Sequence, residues 1–373
     1  AVALASGSTS FDGSDDYIQL ASDGRTDFAN QSFTISAWIK PSTVASDNAI
    51  FSYDFTSHAS PYYAMHLRTM SSGRITLGYN NGAGNSDGIT SGNNAITAGV
   101  WQHVSATYTS GTQKLYVDGS VVASGTHSHT ITFYDQEVWI GKANFSGSEF
   151  NGSLANVAIY SDAKTQSQIQ DIMFSSYSTL TSALKTNLVS WYDLGSTSLG
   201  SDLVDADAST FEGTSTYSWS AYGNNTIQNI SNQLIITYVN NASGCNNYFK
   251  NSSDLSSDLT VGAKYEVSVQ AKYSGGSSGV GINVYTGSAN IGANQLTTSM
   301  ATYTWTLVPT SSTGAFIRMD SMSSNNVITL DNFSIKEIQA TDAQGDNEGS
   351  IYGATTNTGY TSSPSGVADP LNY

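Results

Sequence analysis

Between Ser10 and Tyr160 five short phrases follow one another in a fixed order, each reading as a strand or as a strand with its turn. They are Ser-Phe-Asp-Gly-Ser-Asp-Asp-Tyr-Ile (Ser10 to Ile18), Phe-Thr-Ile-Ser-Ala-Trp-Ile-Lys-Pro (Phe33 to Pro41), Trp-Gln-His-Val-Ser-Ala-Thr-Tyr (Trp101 to Tyr108), Lys-Leu-Tyr-Val-Asp-Gly (Lys114 to Gly119) and Asn-Gly-Ser-Leu-Ala-Asn-Val-Ala-Ile-Tyr (Asn151 to Tyr160). Phe33, Ile35, Ala37 and Ile39 alternate with Thr34, Ser36, Trp38 and Lys40, the period of a strand with one buried face. Pro41 ends that run, and Trp38 falls on the opposite face. Val104, Ala106 and Tyr108 repeat the pattern. Lys114 to Val117 runs into Asp118-Gly119 and on to Val121-Val122, which predicts a hairpin. Ile75 to Tyr79, Val138 to Gly141 and Leu154 to Tyr160 add enough strands for two facing sheets. Helix is predicted only after Thr165, where Ile169, Ile172 and Met173 recur at helical spacing behind a capping residue, and around Ser182 to Lys185.

Composition narrows the classes of function. Acids outnumber bases 29 to 13 over 373 residues, a formal charge of −16, and no run of Lys or Arg could track a phosphate backbone. A nucleic-acid partner is therefore not expected. The single cysteine, Cys245, cannot close an internal disulfide, so the fold must stand on buried apolar area. No stretch approaches the roughly 18 apolar residues of a membrane span. Ala1-Val-Ala-Leu-Ala is too short, and lacks the basic flank, for a signal peptide.

The ordered phrases of the first half resemble a laminin-G-like, concanavalin A-type β-sandwich, a fold used mostly to bind glycans or proteins. A second pattern begins at Leu203. Phe211-Glu-Gly precedes Trp219, strands alternate at Leu234 to Val239, Tyr265 to Tyr273, Val280 to Tyr285 and Tyr303 to Val308, and Asp331-Asn-Phe-Ser-Ile closes the run. That stretch resembles the jelly-roll carbohydrate-binding modules of the family-four and family-nine type. Around it, Asn187-Leu-Val-Ser-Trp-Tyr-Asp-Leu-Gly and Thr341-Asp-Ala-Gln-Gly-Asp-Asn-Glu-Gly-Ser-Ile-Tyr-Gly-Ala-Thr look like consecutive pieces of one laminin-G-like edge element. The expected fold is thus all-β, with two β-sandwich (jelly-roll) domains and the second inserted in a loop of the first. The sandwich takes residues 1–195, the jelly roll 196–340, and a tail, 341–373, returns to the first domain. Donation of the flanking strands to a neighbouring chain is the competing arrangement.

Catalysis is not expected. Glycan hydrolysis needs two carboxyl groups about 5–9.5 Å apart, and none of the six glutamates lies in a Glu-x-Asp-x-x-Glu or Glu-x-Asp-x-Glu strand. Asp12, Asp15, Asp16 and Asp118 read as turn formers. The one Gly-x-Ser-x-Gly string, Gly275 to Gly279, lies in a Gly/Ser-rich stretch between two predicted strands and not at a strand-to-helix elbow, and no His-Glu-x-x-His helix occurs. His127 and His129 have the spacing of a ligand pair but lack an evident third ligand, and His103 reads as a packing residue. The jelly-roll resemblance implies a structural Ca²⁺ held by Glu212 and Asp331. Sugar recognition sets aromatic faces against C–H-rich sugar faces, and Tyr62, Tyr63, Trp219, Tyr222, Tyr248 and Tyr285, in or beside polar loops, are the candidates for it. Trp38, Trp101, Trp139, Trp191 and Trp305 read as core or sheet-surface residues.

The two resemblances together are similar to bacteriophage surface and appendage proteins. They imply a non-enzymatic virion surface subunit (a fibre, appendage or capsid decoration) that is extracellular, repeated in many copies, docked on other virion proteins and engaged with cell-surface glycans. A secreted bacterial adhesin, the carbohydrate-binding part of a polysaccharide-degrading enzyme, and a purely structural lattice subunit are the alternatives.

Overall fold

The computed structural model describes residues 3–20, 28, 31–54, 63–80, 86–109, 111–126, 130–133, 137–217, 219, 225–239, 245–249, 255–285, 290–310, 315–345 and 347–362. The chain is all-β. It divides into two compact units, Ala1–Ser198 with Gln339–Tyr373, and Leu199–Ile338. Among the described residues no helix is long and apolar enough to cross a membrane.

Unit 1 begins with strands β1 (Ala3–Asp12), β2 (Tyr17–Leu20), β3 (Phe33–Pro41), β4 (Asn48–Asp54), β5 (Tyr63–Met70), β6 (Arg74–Asn80) and β7 (Ser86–Thr90). It continues with β8 (Gln102–Thr109), β9 (Thr112–Val117), β10 (Ser120–Gly125), β11 (Val138–Ile140), β12 (Asn151–Tyr160), helix α1 (Gln166–Met173), helix α2 (Ser182–Lys185) and most of β13 (Leu188–Asp202). Unit 2 holds helix α3 (Ala206–Ser209), β14 (Thr226–Asn229), β15 (Leu234–Thr237), β16 (Cys245–Phe249), β17 (Tyr265–Ser274) and β18 (Gly281–Tyr285). It also holds β19 (Asn290–Gln295), β20 (Ala301–Leu307), β21 (Ala315–Asp320) and most of β22 (Val327–Asp342); β23 (Gly349–Tyr352) and β24 (Thr355–Ser362) belong to unit 1.

In unit 1 one run of antiparallel strands reads β24–β1–β12–β3–β8–β9–β10, and the other β23–β2–β11–β4–β5–β6–β7. Phe33, Ile35, Ala37, Val104, Ala106 and Tyr108 of the first run are sealed from water, as are Phe51, Met65, Leu67, Leu77 and Tyr79 of the second. The Tyr79 and Tyr108 rings meet at 5.2 Å, edge to face, where the two layers pack. The Asp118-Gly119 hairpin forms with φ of 49° and 71°, the left-handed pair that matches strand twist.

Strand β3 departs from its one-sided pattern, because Trp38 on its second face is also buried. Helix α1 lies over it. The helix starts with a capping box in which the Thr165 side chain accepts from the Gln168 N–H and the Gln168 side chain accepts from the Thr165 N–H. Its last turn presents the Met173 carbonyl to the Trp38 indole N–H at 3.0 Å. Period-two alternation reports only a strand's contrast with water, and a polar row of Thr34, Ser36 and His103 under a helix looks like an exposed face.

The segments flanking unit 2 meet within unit 1. Residues Leu188 to Tyr192 pair with β12, and β23 pairs with β2, opposing Tyr17 to Tyr352 and Ile18 to Ile351. The Trp191 N–H donates to Asp342 and its carbonyl accepts from Ala343 N–H. Asn347 donates to Ser190, and the Tyr192 hydroxyl donates to the Asn347 carbonyl.

Unit 2 pairs β14–β15–β22–β17–β20 in one sheet and β16–β21–β18–β19 in another. Val267, Val269, Leu307, Ile328, Leu330 and Ile335 of the first, with Ile282, Val284, Ile317 and Met319 of the second, form its core.

Candidate functional site

In the four-stranded sheet of unit 2, Ile282 and Val284 alternate with Asn283 and Tyr285, and Ile317 and Met319 with Arg318 and Asp320. The apolar set is buried in the core, so Asn283, Tyr285, Arg318 and Asp320 share the other face. Register places Asn283 opposite Arg318 and Arg318 opposite Asn246, and the neighbouring row runs Tyr285, Phe316, Tyr248. Two candidates 37 positions apart in sequence, Tyr248 and Tyr285, therefore occupy one row of one sheet.

Arg318 joins the two rows. Its guanidinium carbon lies 5.4 Å from the Tyr285 ring centre, and its Nε is 3.0 Å from Asp320 Oδ1. Asn283 Nδ2 donates to Asp320 Oδ2, while Asn283 Oδ1 is buried without a partner. An orphaned buried acceptor costs about 1–3 kcal/mol. The ion pair cancels the charge locally, and what remains at the surface is guanidinium donors, a carboxylate acceptor and a half-buried tyrosine ring, over the fully buried Asn283. This set matches hydroxyl groups on a ring with a C–H face. Asn283, Arg318 and Asp320 are not among the loop aromatics that the sequence offers as candidates; the i, i+2 pairs Asn283/Tyr285 and Arg318/Asp320 on strands are the signal in the sequence that points to them.

The other candidates lie elsewhere. Trp219 is 3% exposed, its ring edge-on to Phe211 and Phe333 in the core of unit 2. Tyr63 is half-buried in unit 1, 4.3 Å from the buried His66 ring. Tyr62 and Tyr222, like His127 and His129, lie outside the described residues. Exposed Glu212 accepts from Asn232 Nδ2 at 3.2 Å, and half-buried Asp331 accepts from Gln233 Nε2 at 3.0 Å, so two consecutive side-chain amides hold the two carboxylates.

Asp12, Asp15 and Asp16 bring carboxylate oxygens within 4.8 Å of one another. Asp16 accepts the Asp12 N–H and Asp12 accepts the Ser14 N–H, the bonding of a turn. Burial lowers the His103 pKa to about 3 and holds His66 well below the ordinary histidine range, so both rings are neutral at pH 7.

Residues 12–170 match the model of the Laminin_G_3 family, described as the concanavalin A-like lectin/glucanases superfamily. No curated protein sequence matches the chain significantly. Among solved structures, a putative carbohydrate binding protein from Bacteroides ovatus is 22% identical with a TM-score of 0.39, over 55% of this chain and 56% of that one. The CBM40 of the Ruminococcus gnavus IT-sialidase, bound to α2,3-sialyllactose, is 16% identical with a TM-score of 0.37, over 43% of this chain and 94% of that one. The CBM22-1 xylan-binding domain of Paenibacillus barcinonensis Xyn10C is 15% identical with a TM-score of 0.30, over 39% and 98%.

Proposed function

We propose that this chain is a non-enzymatic glycan-binding protein that holds a saccharide on the four-stranded sheet of unit 2. The observation that carries the reading is the cluster on one face of that sheet, Arg318 against the Tyr285 ring and paired with Asp320, in the rows of the register that also hold Tyr248 and Asn246. The partly exposed Tyr285 ring offers surface to a sugar's C–H face, and Arg318 and Asp320, also partly exposed, offer hydroxyl partners in both senses. The superfamily match of residues 12–170, to lectins and glucanases, supports saccharide recognition at the level of class.

A structural calcium at Glu212 and Asp331 is part of the same proposal. If Asn232 and Gln233 turn their amides over, each carboxylate gains an amide oxygen beside it, the donor type a hard cation takes. Its role there is to pin the Asn232–Gln233 turn rather than to act on a substrate.

The adhesive setting we propose is an extracellular one, on a virion surface, with repeated copies giving avidity through weak single sites. Sequence resemblance alone supports that setting. A secreted adhesin or an appendage of a polysaccharide-degrading enzyme would use the same face.

Glycan-array binding tests the reading. Wild-type protein is expected to bind a defined set of saccharides, and Tyr285→Ala and Arg318→Ala to lose at least tenfold of that signal. Silence of the wild type, or binding untouched by both variants, rejects it. Detection of the chain in purified virus particles by mass spectrometry tests the setting separately.

A further inference from the structure

On unit 1, one sheet face carries a second aromatic cluster that owes nothing to the unit 2 face. Cross-strand partners Tyr17 and Tyr352 stack with ring centres 4.3 Å apart and planes within 7°. Trp139, one strand over on β11, stands at 75° to Tyr17 with centres 6.4 Å apart, so the two rings wall a notch. The notch already holds a cation. Lys142 Nζ lies 4.0 Å from the Tyr17 ring centre and 5.0 Å from that of Trp139.

Three observations define what this notch is built to take. Among the described residues Lys142 has no carboxylate in ion-pair reach, although the chain has 29 acids for 13 bases, so ring faces rather than an acid retain the ammonium. Trp139 Nε1 and Glu137 Oε2, two positions apart on one side of the chain, are buried with no hydrogen-bond partner. The Tyr17 hydroxyl is pushed up to about 12, by burial first and then by the charges of Tyr352, Glu137 and Asp15, so its surroundings are electronegative. An ammonium is at home here. A donor and an acceptor wait beside it.

We propose that this notch is a binding site for a cationic amino sugar, a 2-amino-2-deoxyhexose unit with a free amine, for which Lys142 is the internal stand-in. The sugar ammonium takes the place of Lys142 Nζ between Tyr17 and Trp139, a hydroxyl donates to Glu137 Oε2, and another accepts from Trp139 Nε1. Lys142, a flexible chain held among the described residues by the two rings, swings out as the ligand enters. The net charge of −16 draws such a polycation toward the surface.

The test compares a glucosamine hexamer with its N-acetylated counterpart, below the pKa of the free amine, by calorimetric titration. Acetylation removes the charge and keeps the sugar. Binding of the free amine at least tenfold tighter than the acetylated form is expected, and equal binding overturns the proposal. Glu137→Gln and Trp139→Phe are each expected to lose about tenfold; Glu137→Gln, which keeps the side chain's shape, does so with the melting temperature little changed, whereas Trp139→Phe also lowers it by removing buried ring volume. Lys142→Leu removes the internal competitor and is expected to tighten binding severalfold. Lys185→Leu, which takes an ammonium off the Tyr177 ring on another part of unit 1, is the control for bulk charge. If Lys185→Leu tightens binding as much as Lys142→Leu, the polymer is held by net charge and the proposal fails. Tyr285→Ala leaves amino-sugar binding intact, so loss of the unit 2 reading and loss of this one are separable.

Discussion

Ser36 Oγ and His103 Nε2 lie 2.7 Å apart on neighbouring strands with both residues cut off from water. Nδ1 of the same imidazole is buried without a partner, and the ring stands edge-on to Trp38. Protonating this ring puts a charge where only one weak acceptor faces it, which is why its pKa falls to about 3. In the unfolded chain the same ring titrates near ~6.5. The folded value is the depressed one, so the unfolded state binds more protons below about pH 6.5 and stability is lost as pH falls through that window. At about pH 5 the deficit is about 1.5 pH units, or about 2 kcal/mol for one histidine, and His66 adds to it in the same direction. Urea unfolding of unit 1 at a series of pH values checks the slope, and His103→Gln is expected to remove about half of it. A slope unchanged in that variant would place the acid sensitivity in other groups.

Trp219 and Tyr285 were equivalent candidates by sequence, and their surroundings now separate them. Trp219→Ala empties a site walled by Phe211 and Phe333 and is expected to cost unit 2 about 3–5 kcal/mol. Tyr285 is half-buried with Arg318 over its ring, so Tyr285→Ala is expected to cost about 1 kcal/mol. Thermal unfolding followed by tryptophan fluorescence ranks the two. The reverse order would make Trp219 the surface residue and move the binding face.

Gly353 sits at φ +63° where the chain turns out of β23, and a Cβ there would run into the Asp16 carboxylate. Asp16 cannot retreat, because Oδ2 accepts the Asp12 N–H at 2.8 Å. Gly147 has a similar φ of +77° with open space around it. Gly147→Ala is therefore expected to cost only the left-handed backbone term, about 1 kcal/mol, and Gly353→Ala at least about 2 kcal/mol. Denaturant midpoints of the two variants make the comparison. Equal losses would mean that the β2–β23 junction yields to the clash.

The all-β class, the Asp118-Gly119 hairpin and the helix after Thr165 were legible because each depends on neighbours in sequence: period-two alternation, a turn pair that tolerates positive φ, and a capping residue. The second burial of β3 was not legible, since a row of Thr, Ser and His under a helix is compositionally an exposed row. The binding face was half legible. Tyr248 and Tyr285 could be chosen as aromatics near polar loops, but Asn283, Arg318 and Asp320 gain their meaning only when β21 is laid between β16 and β18. In the same way Tyr17 and Tyr352 are 335 positions apart, and nothing local says that their rings stack.

Glu212 and Asp331 are each gripped by one amide of the same two-residue step, Asn232–Gln233. Turning both amides over exchanges two donors for two oxygens and gives up both hydrogen bonds, a loss that the ion must offset. A hard divalent ion that draws all four groups together binds the folded unit and not the unfolded one, so it raises stability by mass action, by about 2.7 kcal/mol at a hundredfold excess over its dissociation constant. Millimolar calcium is accordingly expected to raise the melting temperature of unit 2, and a chelator to reverse it. Glu212→Gln keeps the Asn232 contact in a neutral form and is expected to abolish the calcium response while leaving the melting temperature in chelator unchanged. A response that survives in Glu212→Gln but vanishes in Asp12→Asn would reassign the ion to the Asp12, Asp15, Asp16 turn of unit 1, where three carboxylates already converge.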